Sequence, residues 1–396
     1  MPHLRPRIPH YALLLRLRSQ VISSLTKFFG EKDFVQCHTP IVTSSDCEGA
    51  GEVFSIEVPK VANNDSQIEG ATKPQPEESF FRTQKYLTVS SQLHLEALAL
   101  AVKNVWTLSP TFRAEKSDTA RHLSEFYMLE AEMAFVEDAN EVMDVIEEMI
   151  KYVTHDITVS RLGQELVESH KSRIQQDANE ETGADHLDGD MLSARWQGIL
   201  RSSWPRITYY EACKQIHHAA NTNGIVFDTL PGAKSGLDTE HERYLAGAHE
   251  GPIFVTDYPK VIKPFYMAPS SKTEGKELGT VPTAACWDLL MPDVCEVVGG
   301  SMREHRLNEL QQMMEDKGIS IKRPQSQGNE RSSKDPNNEE LAGVDNLEWY
   351  IDLRRYGSVP HAGFGLGFDR LLGYLAGVTN IRDMVAFPRY YKRCLC

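Results

Sequence analysis

Three arginines, Arg113, Arg303 and Arg370, each lie in a segment that also carries carboxylates or glycines. Residues 111–135 read TFRAEKSDTARHLSEFYMLEAEMAF and have the pattern of a hairpin. Side chains on a strand alternate between faces, so Arg113 and Glu115 share one face, with Phe112 and Ala114 on the other. On the return strand Phe126, Met128, Glu130 and Glu132 share a face. Tyr127, Leu129, Ala131, Met133 and Phe135 make the opposite face, which is continuously apolar and calls for burial. The front can hold a phosphate, stack a base and grip an amine. An exposed ion-paired surface would carry the same charges, so the hairpin alone decides nothing.

The second segment is DLLMPDVCEVVGGSMR, residues 288–303. Glu296 sits in an apolar run and is followed by Gly299 and Gly300, which let backbone approach a ligand. A carboxylate there suits Mg2+, which takes few protein ligands and leans on substrate phosphates. Arg303 can bind a carboxyl or amide oxygen. A strand–turn–helix junction with an incidental ion pair would look the same. The third segment is GFGLGFDR, residues 363–370. It reads as a strand entering a helix, where N–H groups face anions, with Arg370 in the first helical turn. It lacks the surrounding unit of a dinucleotide fingerprint.

These residues need a scaffold. Leu14, Leu17, Val21, Leu25 and Phe28 recur at helical spacing and predict a core helix over 11–29, followed by an extended run from Phe34 to His38 that ends at Pro40. Helices are expected over 92–103, 139–154 and 304–316. Strands are expected over 105–115, 122–136, 253–257, around 284–299, over 348–354 and over 363–366, with a helix from Gly367. Residues 61–79 and 319–344 read as polar loops, the second a flexible insertion, and 160–250 as a mostly helical insertion. Mixed strands, hairpins and long helices point to an α+β fold around an antiparallel sheet flanked by helices.

Composition narrows the class. The 396 residues are 41% hydrophobic and 25% charged, values of an ordinary globular chain. No apolar run reaches the roughly 20 residues that span a bilayer, so no membrane partner is expected. The net charge of −14 means that any nucleic-acid contact needs a local basic patch. The seven cysteines show no zinc spacing and fit a reducing compartment. A cytoplasmic protein is expected. The basic, acid-free start before Glu31 leaves a mitochondrial location as the alternative.

Taken together and in this order, the three segments resemble motifs 2 and 3 of the class II aminoacyl-tRNA synthetases, with the metal-binding strand between them. Pro40 matches motif 1. The stretches TPIVTSSDCEGAGEVF (39–54), YLTVSSQLHLEALAL (86–100), DLLMPDVCEVVGGSMREHR (288–306) and WYIDLRRYGSVPHAGFGLGFDRL (349–371) are similar to the asparaginyl branch of the aspartyl/asparaginyl subgroup. The resemblance spans nearly the whole chain. It implies a single catalytic domain over 1–396 that uses ATP and Mg2+ to make an asparaginyl-adenylate, transfers it to tRNA(Asn), and forms a homodimer through the motif 1 region near Pro40.

By position, the resemblance implies that Arg113 holds the ATP α-phosphate and the substrate carboxylate. Glu115 would bond the adenine amino group and Phe126 would stack on the ring. Arg121, His122 and Arg370 would hold the outer phosphates, with Leu123, Gly367, Phe368 and Asp369 completing the nucleotide site. Glu296 would carry Mg2+. Glu48, Gln92, Glu96, Glu130, Gly299 and Arg303 would line the amino-acid site, with Arg303 on the side-chain carbonyl.

Asparagine rather than aspartate follows from charge. Aspartate enzymes of the subgroup carry a lysine three residues after the glutamine that matches Gln92. Here that residue is Leu95, followed by Glu96, which can accept from an amide NH2 and would repel a carboxylate. Relatives place a small anticodon-reading barrel ahead of the His3-Leu4-Arg5-Pro6-Arg7 segment, so no anticodon-binding domain is expected within this chain. That departure keeps a second reading in play, an adenylate-forming amide ligase that does not charge tRNA. A third reading, a non-catalytic paralogue, fits less well, because Arg113 and Arg370 are both present.

Overall fold

The computed structural model describes residues 2–44, 53–57, 80–81, 84–180, 187–201, 203–270, 281–319 and 347–396. Helix α1 (Pro9–Glu31) buries Leu14, Leu17, Val21, Leu25 and Phe28, as their spacing requires. Each such side chain contributes roughly 1.5–3 kcal/mol when fully buried. Strand β1 (Val35–Gln36) follows and pairs parallel with β5 (Asn104–Phe112). A small three-stranded sheet is formed by β2 (Val42–Thr43), β4 (Lys85–Leu87) and β3 (Ser55–Ile56).

The main sheet has eight strands in the order β1-β5-β6-β11-β10-β9-β8-β7. Its remaining members are β6 (Glu125–Ala134), β7 (Arg206–Thr208), β8 (Ile253–Thr256), β9 (Cys286–Met291), β10 (Cys295–Met302) and β11 (His361–Gly367). Pairing is antiparallel from β5 to β8 and parallel at β1/β5 and β7/β8. The principal core joins the back of this sheet, through Trp106, Leu129, Val298 and Phe364, to α1, α3 (Ala139–Val159), α5 (Gly189–Leu200) and α10 (Phe368–Ala376). Helix α4 (Arg161–Glu180) adds Leu162 and Leu166. Of the smaller clusters, one lies around α6 (Tyr209–Thr222) and α7 (Thr239–Ala248), and another around α8 (Leu307–Asp316) and α9 (Glu348–Arg355). The second of these, with α2 (Gln92–Val102), walls the front of the sheet.

Three expectations need correction. Residues 348–354 are helix α9, not a strand. The apolar alternation of Trp349, Ile351 and Leu353 imitates a strand, but burial falls on Tyr350, Ile351 and Arg354, a helical spacing. The apolar back of β6 is buried at Leu129 and Ala131, yet Tyr127 and Phe135 are exposed at its two ends. Phe135 has left the strand, with φ +64°. Strand β5 stops at Phe112, so Arg113 is held just past it by its N–H to the Ser124 carbonyl, 3.0 Å. The loop at 61–79 and most of that at 319–344 fall outside the described residues.

Candidate active site

The front of β6, β10 and β11 floors a pocket of about 370 Å3. Strand alternation sends Met128, Glu130 and Glu132 into it while Leu129 goes to the core. Gln92, Arg113, Glu130, Glu296, Gly299 and Arg303, all named above from sequence, line this one cavity. Glu130 is 2% exposed. Its carboxylate accepts from the Ser91 backbone N–H at 2.9 and 3.0 Å and from the Ser90 hydroxyl at 2.5 Å. It is therefore a fixed acceptor at the start of α2.

Arg303 and Glu132 form a buried ion pair along the wall. Nε and Nη2 each lie 3.1 Å from a Glu132 oxygen, and Nη1 donates to the Ser301 hydroxyl at 2.7 Å. Exposure is 3% and 1%. Burial pushes the Glu132 carboxyl above its ordinary range, Arg303 opposes this, and Glu96 adds to it. The pair fits because β11 carries Gly363 opposite Glu132. A methyl there would come within 1.9 Å of the Glu132 carboxylate and 2.4 Å of the Ala131 carbonyl.

Glu96 is placed differently from the expectation that it lines the pocket. It is wholly buried behind Gln92. Its carboxylate accepts from Arg354 Nη2 at 2.8 Å, His361 Nε2 at 3.1 Å, the Tyr350 hydroxyl at 2.8 and 2.9 Å, and Gln92 Nε2 at 3.2 Å. Burial alone would raise its pKa, but Arg354 and His361 outweigh that and hold it well below the usual carboxylate range. No oxygen of Glu96 is left facing a substrate.

The nucleotide candidates gather beside the pocket. Arg113 lies 3.8 Å from Glu115, His122 lies 3.4 Å from Glu115, and the Arg113 guanidinium sits 5.7 Å from the centre of the Phe126 ring. Arg121 and Arg370 border a second cavity of about 660 Å3 on their other side. Arg370 donates to the Glu296 carbonyl, and Arg121 to the Val294 carbonyl at 3.3 Å. Burial lowers the Arg370 pKa, with Glu296 countering it. Leu123 is 7% exposed, Phe368 packs in the core, and Asp369 is tied to Arg18 and to the Tyr127 N–H at 2.9 Å. The side chains of Phe368 and Asp369 are thus committed to the fold, leaving backbone at the start of α10 near the glycines of β11. Glu48 lies outside the described residues.

Glu296 has a companion that sequence reasoning missed. Asp288 pairs across β9/β10 with Gly299, and the Glu296 and Asp288 carboxylate oxygens stand 3.2 and 3.5 Å from where a Gly299 methyl would sit. Burial raises the Glu296 pKa and Asp288 raises it further, against Lys263 and the arginines. Lys263 donates to Asp288 at 3.0 and 3.3 Å. Two converging carboxylates with one lysine fit a divalent cation that also meets phosphate oxygens. Glu242 on α7 accepts from the Glu296 N–H at 3.3 Å, and burial pushes its carboxyl up to about 7. Asp288 and Glu132 were findable from strand register. Lys263, Glu242, Arg354 and His361 were not, since they arrive from distant elements.

A family model described as tRNA synthetases class II (D, K and N) matches residues 1–391. The asparagine–tRNA ligase of Clostridium tetani is 40% identical over 98% of this chain and 72% of its own length. The mitochondrial asparagine–tRNA ligase of Saccharomyces cerevisiae is 38% identical over 98% of this chain and 70% of its own. The asparaginyl-tRNA synthetase of Pyrococcus horikoshii, solved with asparaginyl-adenylate, superposes with a TM-score of 0.71 at 28% identity, covering 99% of this chain and 71% of that one.

Proposed function

The chain belongs to the class II tRNA synthetases of the D, K and N group, and we propose that it activates asparagine with ATP and passes it to tRNA(Asn). The observation that carries the choice of amino acid is the buried Arg303–Glu132 pair in the pocket wall. Three of the five N–H donors of Arg303 are used, so others remain for a side-chain carbonyl. Glu132 beside it accepts from the amide NH2. An aspartate side chain would set its second oxygen against Glu132, which disfavours it. Glu130 and Gln92 take the α-ammonium.

Arg113 reaches both the pocket and the Glu115–His122–Phe126 group, so it bridges amino acid and nucleotide. It orients the asparagine carboxylate for in-line attack on the α-phosphorus and spreads the charge that develops there. The carboxylate oxygen forms the new bond to phosphorus, and pyrophosphate leaves toward Arg121, His122 and Arg370. Asp288 and Glu296 would hold Mg2+, which neutralises phosphate charge when bound. Glu115 and Phe126 take the adenine edge and face.

A homodimer is part of the proposal. Val35, Val102 and Phe135, at 46, 48 and 68% exposure, gather where β1, the start of β5 and the end of β6 meet, just before Pro40. Among the described residues no helix is long and apolar enough to cross a membrane. Cytoplasmic residence is part of the proposal, with a mitochondrial location as the alternative, since a mitochondrial relative is among the similar proteins.

Amino-acid-dependent exchange of pyrophosphate into ATP, run with asparagine and with aspartate, tests the first step. Charging of tRNA(Asn) tests the second. Exchange with aspartate only would refute the substrate. Exchange with asparagine but no charging would replace tRNA by another acceptor.

A further inference from the structure

Gln92 lines the amino-acid pocket at the start of α2, and one end of its amide points away from the pocket. That end meets the Glu96 carboxylate at 3.2 Å. An ionised carboxylate only accepts hydrogen bonds, so the end facing it must be the NH2 group. The carbonyl oxygen of Gln92 is then turned to the pocket. An amide free to rotate would offer either group to the substrate.

Glu96 itself cannot turn. Its Oε2 receives Arg354, His361 and the Tyr350 hydroxyl at 2.8, 3.1 and 2.8 Å. His361 is braced in turn, with Nδ1 at 2.7 Å from the Val359 carbonyl. Both its ring nitrogens thus face oxygens that only accept. Arg354 is anchored by Nε to the Glu304 carbonyl at 2.9 Å. Glu96, Arg354 and His361 all have side chains without solvent exposure.

We propose that Glu96 is a positioning residue. It locks the Gln92 amide with its oxygen toward the pocket, and the Arg354–His361–Tyr350 cage fixes Glu96 in the orientation that does this. The proposal rests on the reading of the pocket as an asparagine site. The locked oxygen gives the substrate nitrogen an acceptor next to Glu130 and keeps a competing donor away from it. Glu96 thereby acts on the amino acid at one remove, without touching it.

Glu96→Gln is a sharp test because it is isosteric. The cage presents donors to Oε2, so the new amide oxygen stays there and its NH2 turns toward Gln92. Gln92 must then flip and present its own NH2 to the pocket. The expected result is a rise in KM for asparagine of about tenfold or more, from loss of an acceptor facing a cation, with KM for ATP unchanged. The exchanged pair Gln92→Glu with Glu96→Gln should recover most of that loss. The carboxylate then at position 92 accepts from the amide at position 96 and still shows an oxygen to the pocket. Glu96→Asp keeps the charge in the cage but loses reach to Gln92. It should raise the same KM, and it serves if the glutamine variant does not fold.

An unchanged KM for asparagine in a folded Glu96 variant overturns the positioning role. So does an equal rise in both KM values that the exchanged pair fails to reverse. Exchange by the unaltered protein separates the two readings. Without asparagine-dependent exchange both fall. With normal exchange and indifferent variants, only the positioning role falls.

Discussion

Glu132→Gln keeps the shape of the pocket wall and removes one buried charge. In the native wall Glu132 is 1% exposed and meets Arg303 through two contacts of 3.1 Å. An aspartate carboxylate lying against Arg303 would stand about 4 Å from Glu132, and two like charges at that distance repel by about 4 kcal/mol at an effective dielectric near 20. The neighbouring arginine shares that field, so about 2 kcal/mol is a prudent lower value, or roughly thirtyfold. Asparagine loses one hydrogen bond to a charged acceptor, about 1.5–3 kcal/mol. Both effects act in the same direction on selectivity. The ratio of kcat/KM for asparagine over aspartate should therefore fall by at least about two orders of magnitude. Pyrophosphate exchange with each amino acid measures it, with thermal unfolding as the control for the weakened pair. A folded variant whose ratio moves less than about threefold would refute the charge argument.

Arg370→Ala should raise KM for ATP and depress exchange about a hundredfold or more, in the range seen when one donor to a charged transition state is removed. Arg303→Lys, which keeps the charge but not the fork, should instead raise KM for asparagine with KM for ATP little changed; steady-state exchange kinetics separate the two, and matched losses in both constants would contradict the division of the site. Gly363→Ala should cost about 3 kcal/mol or more of stability and also blunt asparagine selectivity, because the methyl would press on the Glu132 carboxylate and the Ala131 carbonyl at 1.9 and 2.4 Å. Denaturant unfolding and exchange together check this, and a stable, selective variant would show that β6 and β11 are looser than their register implies.

Much of the scaffold was legible because local periodicity and burial agree. The helical spacing of Leu14, Leu17, Val21, Leu25 and Phe28 requires α1, and those residues are buried in it. The alternation along β6 separates Glu130 and Glu132 from Leu129 and Ala131, as period-two geometry demands. The strand expected over 348–354 fails for a definite reason. Its local alternation is real, but Arg354 is drawn one helical turn from Tyr350 onto Glu96, which lies 258 residues away in sequence. A pairing across that distance leaves no local pattern.

The site divides in the same way. By itself the sequence singled out the segments that resemble the family's motifs, and through that resemblance it grouped Gln92, Arg113, Glu130, Glu296, Gly299 and Arg303, which line one pocket. Residue type and spacing alone left each segment open to an ion-paired surface; the resemblance that the segments carry together is what grouped them. Only the tertiary structure decided which carboxylate beside Arg303 lines the pocket. Glu96 was the expected one, yet it is enclosed by Arg354, Tyr350 and His361, and Glu132 stands in the wall with Arg303. A buried charge goes where its compensating partners converge, and those partners arrive from α9, β10 and β11, elements whose meeting point no local stretch of sequence specifies.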